Sequence, residues 1–169
     1  MPPLSDLPLE YSNFGRVLIS IQQEIIGLAL PQLPNEKITI NKIAWLDPER
    51  VQPPYCTIVP RPEIGNWQDG TNERDDPVYS SQISLIFANA MDVSDLGMGL
   101  QLYWRQQIRQ LFHNRNAAAF GSSLTLEAGH SFLRSYCEPG EIYLEAAKRL
   151  QYDAQYLVVR HLIREARPA

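Results

Sequence analysis

The side chains able to act as nucleophiles, acid–base groups or metal ligands are few and scattered. Cys56 and Cys137 are the two thiols of the chain, and His113, His130 and His161 its three imidazoles. A cysteine nucleophile needs a base or a cation beside it to become a thiolate. A zinc site needs about four Cys/His ligands at defined spacings. None of these five residues has such a partner in sequence: there is no His-x-x-x-His pair and no paired cysteine. Cys56, flanked by apolar residues in Tyr55-Cys-Thr-Ile-Val59, reads as a small core residue. The histidines read as surface, interface or satisfied core groups, with His161 inside a strand.

Other motifs are equally plain. Asp69-Gly-Thr-Asn-Glu73 and Asp75-Asp76 offer oxygen ligands, but not at the spacing of a calcium-binding loop. They read as a solvated acidic loop. Leu96-Gly-Met-Gly-Leu100 lacks the third glycine of a dinucleotide loop and lies within a helical pattern. No phosphate-binding Gly-Lys-Ser/Thr and no Gly-x-Ser-x-Gly elbow occurs. The expectation is a protein that is not an enzyme and has no metal site and no cofactor. A cysteine and a histidine can still meet in the fold, so a small α+β enzyme using Cys56 or Cys137 stays open as an alternative.

Aromatic and arginine side chains at exposed positions point instead to protein contacts, where these types are enriched. The interface candidates are Ile64, Trp67, Asp69 and Arg74 in one polar segment, Arg105 and Arg109 on one side of a helix, and Tyr156 on a strand. Trp67 either anchors a partner or folds back on its own sheet.

The elements that must carry these residues follow from periodicity. Phe14, Leu18, Ile21, Ile25 and Leu28 recur at helical steps and predict a helix over 12–30, capped by Ser12 and stopped by Pro31 and Pro34. Residues 38–45 and 55–59 are β-rich, the latter bracketed by prolines that strand ends tolerate. Residues 61–77 form a long polar loop, expected to order against a partner. Val78–Ala88 alternates cleanly, with Tyr79, Ser81, Ile83, Leu85 and Phe87 on one face. A second helix is expected over 93–113 with Asp92 as its cap, Leu96, Leu100, Trp104, Ile108 and Leu111 inward, and Gln101, Arg105, Arg109 and His113 on the other side. Short strands at 124–127 and 131–136, a turn at Pro139-Gly140, a short helix over 141–150 and a final strand over 156–164 complete the chain. Leu18, Ile21, Ile25, Ile83, Leu85, Leu100, Trp104 and Leu111 are expected to be buried together. The fold class is α+β: a two-layer sandwich with a mainly antiparallel sheet and two main helices on one face.

With 169 residues, 44% of them hydrophobic, the chain suits one domain over 1–169, opened by a proline-rich extended arm over 1–10. The net charge is −4 and the basic residues form no block, so grip on nucleic acid by charge alone is not expected. The longest apolar-rich stretch, 17–30, is broken by Ser20, Gln22, Gln23, Glu24 and Gly27 and cannot span a bilayer. The start lacks a basic, then apolar, leader. Two distant cysteines suit a reducing, cytoplasmic setting.

In layout the chain resembles the tail terminator, or tail completion, proteins of long-tailed bacteriophages and related neck proteins. The resemblance rests on the opening amphipathic helix from Phe14 to Leu30, the strand Tyr55-Cys-Thr-Ile-Val-Pro60, and the long strand to Ala88 feeding a helix that begins Met91-Asp-Val-Ser-Asp95. It also rests on the ending Leu150-Gln-Tyr-Asp-Ala-Gln-Tyr-Leu-Val-Val-Arg160, which looks like a closing strand after a short Asp-containing turn. The resemblance implies a virion protein, assembled in the host cytoplasm, that caps the tail tube as a ring, a hexamer in such proteins. Its partners would be its own copies, the tail tube protein and the head connector, with DNA passing through and not specifically bound. Copies at −4 each suit such passage. Another neck or head-completion protein, or a non-viral adaptor domain with the same sandwich, fits the same layout.

Overall fold

The structure is a computed structural model and describes residues 7–44, 46, 51–64, 74–88, 97–116, 123–142 and 152–167. Two α-helices, α1 (Asn13–Gly27) and α2 (Met98–Phe112), lie on one face of a sheet. Among the described residues the sheet has seven strands: β1 (Ile38–Ile40), β2 (Tyr55–Pro60), β3 (Arg74–Asp75), β4 (Val78–Ala88), β5 (Arg115–Asn116), β6 (Ser131–Pro139) and β7 (Tyr152–Ala166). Their order is β1-β2-β4-β7-β6-β5, with β3 paired to the end of β7. Only β1 and β2 run parallel; the other pairs are antiparallel. The expected α+β sandwich is the one observed.

Sequence chemistry accounts for the element ends. The Ser12 side chain accepts the Gly15 amide at 3.0 Å and starts α1. The helix stops at Gly27, three residues short of expectation, because Ala29 turns into the left-handed region ahead of Pro31. Pro60 closes β2, where a ladder tolerates it.

Register fixes which side chains meet the helices. Ile83 pairs with Leu157, Ser81 with Val159 and Tyr79 with His161. This set faces α1 and α2 and joins Val17, Leu18, Ile21, Ile25, Trp104, Ile108 and Phe112 in one core. Trp104 also donates its indole N–H to the Pro31 carbonyl at 3.0 Å, tying α2 to the turn that follows α1. Six of the eight residues expected in the core are buried; Leu100 and Leu111 are half-buried at its border.

Several expectations need correction. The strand expected over 38–45 is only 38–40, and residues 42–44 bend away. Residues 124–127 form no strand: they run along α1, where Asn13 accepts the Glu127 amide and Arg16 donates to the Thr125 carbonyl. Their alternation is satisfied by a helix surface instead of a ladder. The final strand starts at Tyr152, four residues early, so Asp153 lies in the ladder opposite Phe87 and not in a turn. Within the expected 61–77 loop, Ile64 bridges Val78 and Arg74–Asp75 pairs with Ala166 and Glu165, while residues 65–73 lie outside the described residues. Residues 115–116, expected in a connection, pair with β6. Glu141 and Ile142 are not helical, and the rest of the expected third helix lies outside the described residues, as do Asp92 and Leu96.

Candidate functional site

Among the described residues one face of the sheet carries no helix, and this open face gathers polar, charged and half-buried strand residues. Strand alternation puts Ser80, Gln82 and Ser84 of β4 there, with Tyr156, Val158, Arg160, Leu162 and Arg164 of β7 and Arg134, Tyr136 and Glu138 of β6. One end is covered: Tyr55, Ile86 and Ala154 form a small cluster under Leu46 and Val51, and the Tyr55 hydroxyl accepts the Leu46 amide. Beyond it Ser80 and Ser84 are buried as well, and solvent reaches the face in two grooves. One, of about 380 Å³, is lined by Arg61, Pro62, Ile64, Ser80, Glu138, Val158 and Arg160. The other, of about 290 Å³, lies between Asp76, Val78, Leu133, Arg134, Tyr136, Leu162 and Arg164.

Most of the arginines on this face are held by acceptors. Arg160 pairs with Glu138 at 2.9 Å, and Arg61 donates to Gln82 at 2.6 Å. Arg164 makes a two-pronged pair with Asp76, at 2.9 and 3.0 Å, and its guanidinium holds the Asp76 carboxyl below the usual range. The result is a mixed surface of arginine, hydroxyl and half-buried aliphatic groups, positive on balance in an acidic chain. Such a surface suits a protein partner.

The interface candidates divide. Ile64 and Tyr156 lie on the open face, Ile64 at the rim of the larger groove. Arg74 sits at the sheet's edge in β3, exposed, and Arg109 is exposed on α2 in the helix layer. Trp67 and Asp69 lie outside the described residues. Arg105 is a correction: it is buried, not exposed. Its guanidinium donates to the Gly140 carbonyl at 2.6 Å and the Tyr156 carbonyl at 3.0 Å. Gln101, expected beside it on the outer side, is buried as well and binds Asp153 and Gln155 of β7. The first half of α2 therefore docks on the sheet through polar groups, which a purely apolar stripe does not reveal. Gly140 is part of this joint, since a Cβ there would come within 2.3 Å of the Tyr156 ring.

The groups with chemical potential are not assembled. Cys56 is fully buried and its thiol is pushed up to about 12 by desolvation. Cys137, buried between β7 and α2, is pushed up to about 11 by the same cause. Both stay protonated near neutral pH and are poor nucleophiles. His161 is sealed beside Phe112 and Phe132, and burial lowers its pKa to about 3. His113 is exposed at the end of α2. His130 joins a polar network at the other end of the sheet. There Asn13 donates to His130 Nδ1 at 2.7 Å and to Glu165 at 2.9 Å, and the Tyr79 hydroxyl donates to the same carboxylate. Phe14 stacks on Tyr79 at 4.7 Å, so the network clamps α1 to β4 and β7. Among the described residues no cluster of His, Cys, Asp and Glu has the makings of a metal site.

Sequence reasoning missed Arg61, Arg134, Arg160 and Arg164. The signal is the alternation Val158-Arg160-Leu162-Arg164, which sets arginines and apolar residues together on one face of a strand.

No protein-family model matches the chain, and no curated protein matches it. Among solved structures, a chain in the virion of a native gene transfer agent particle has this fold. The TM-score is 0.57 at 14% identity, over 92% of this chain and 99% of that one. The likeness is one of fold.

Proposed function

We propose that the chain is a structural subunit of a phage-like particle and, within it, a tail terminator. Copies form a ring on the end of the tail tube, stop its growth and present a surface to the head connector. The observation that carries this reading is the fold likeness to a virion chain along nearly the whole length of both. Two features of the site support it. The thiols and the buried imidazole are held in unreactive states, which suits a non-catalytic role. The two faces of the sandwich differ in charge and texture, as head-to-tail packing in a ring requires. DNA passes without specific binding, because the chain is acidic overall, at −4 per copy, and its basic residues form no block. Among the described residues no helix is long and apolar enough to cross a membrane, and the protein's place is in the virion neck after assembly in the host cytoplasm.

The test is particle production without this protein. The expected result is filled heads separate from tails whose tubes exceed the normal length. Tails of normal length that fail to join heads would assign it to another neck component. Intact particles would contradict a structural role altogether.

A further inference from the structure

The short 3-10 turn Leu9–Tyr11, just before α1, is built as a rigid projection. Gly15 lets its backbone lie directly on the helix: a Cβ at Gly15 would come within 1.8 Å of the Leu9 carbonyl oxygen. Arg16 Nε donates to the Glu10 carbonyl at 2.7 Å, and the Ser12 amide donates to the Leu9 carbonyl at 3.2 Å. The backbone is thus fixed while the side chains stand in water, Leu9 at 44% and Tyr11 at 55% exposure, with Glu10 exposed between them. Two large apolar groups flanking a carboxylate on a preorganised turn have the makings of an interface anchor.

The larger groove of the open face is its chemical complement. Arg61 and Arg160 face a single carboxylate, Glu138, and so leave a positive balance. Ile64, at 45% exposure, and the half-buried Val158 supply apolar contact. The groove opens on the side of the sheet away from α1, so a chain's own turn does not reach it.

We infer that the Leu9-Glu10-Tyr11 turn of a second copy of this chain seats in this groove. The Glu10 carboxylate lies between the Arg61 and Arg160 guanidiniums, and Leu9 and Tyr11 cover Ile64 and Val158. The two surfaces belong to opposite layers of one sandwich, so the contact is head-to-tail and each copy can both give and receive a turn. This deepens the ring reading above and rests on it.

The experiment is charge exchange in trans, read by sedimentation of the full chain at low salt. Wild-type protein is expected to self-associate, more weakly as salt rises. Glu10→Arg and Arg61→Glu should each weaken association about tenfold or more. An equimolar mixture of the two should restore it, because alternating copies place unlike charges at every contact. Both residues are exposed, so thermal midpoints should not move. Tyr11→Ser and Ile64→Ser, which change no charge, should weaken association as well. The inference is overturned if the reversed variants associate like wild type, if the mixture stays as weak as its components, or if wild type is monomeric to about 1 mM, where even weak pairing would register. If the exchange works but tails still end normally without the protein, the contact stands and the terminator reading fails. If tails need the protein yet tolerate both reversed variants, the opposite holds.

Discussion

The two faces of the same strands obey different rules. On one, Tyr79, Ile83, Leu85 and Phe87 of β4 meet Leu157, Val159 and Ile163 of β7 under the two helices, all of them buried. On the other, one residue away in each case, Ser80, Gln82 and Ser84 lie beside Val158, Arg160 and Leu162 with no helix above among the described residues. Alternation with period two thus assigns stability to one face and leaves the other free for contact. The difference teaches where substitutions should hurt: on the covered face they should unfold the protein, and on the open face they should spare the fold and damage assembly.

The sharpest test of the contrast is Trp104→Ala. Its loss of a large core side chain and of the bond to the Pro31 carbonyl should cost about 3–5 kcal/mol in denaturant unfolding. A cost below about 0.5 kcal/mol, ordinary for a surface site, would break the comparison at once. Next comes Arg105→Ala, which removes a buried guanidinium that donates to the Gly140 and Tyr156 carbonyls and should cost about 2–4 kcal/mol. A neutral result would return Arg105 to the list of contact residues.

A smaller effect concerns pH. Burial holds the folded pKa of His161 near 3, below the ordinary 6.5, so between these values the unfolded chain binds more protons than the folded one. Stability contributed by the neutral imidazole is therefore full above 6.5 and falls with pH, by about 1.4 kcal/mol near pH 5.5. Asp76 acts in the same direction, but its carboxyl is held low by Arg164 and matters only in more acid solution. The unfolding free energy of His161→Leu should lack the loss between about pH 8 and 5.5; a parallel pH curve would place the dependence elsewhere. The smallest expected change in stability is on the open face. Arg134→Ala should stay within about 0.5 kcal/mol of wild type by thermal unfolding. A larger loss would mean that the open face is part of the fold's own support.

Much of the covered face was legible in the sequence. The helical steps of Leu18, Ile21 and Ile25 and the alternation of Val78–Ala88 name most of the inward residues, because burial favours apolar types there, with Ser81 the polar exception on β4. The open face was legible in part. Tyr156 and Val158 alternate against Leu157, but a strand's sequence does not say which neighbours pair with it. The grouping of Arg61, Glu138 and Arg160 needs the order β2-β4-β7-β6, which only long-range pairing supplies. Arg105 was misread because a buried guanidinium depends on carbonyls of Gly140 and Tyr156, more than thirty residues away. The segment 124–127 was misread because alternation alone does not distinguish a ladder from the flank of α1.

The central claim, a ring at a tube end with the open face buried between copies, is tested most directly by electron microscopy of tail tubes incubated with the purified protein. The account predicts a ring of copies at one end of each tube, with Arg61, Val158 and Arg160 of every subunit covered by its neighbour. Rings that leave this face in solvent, or tubes that stay bare, would contradict it.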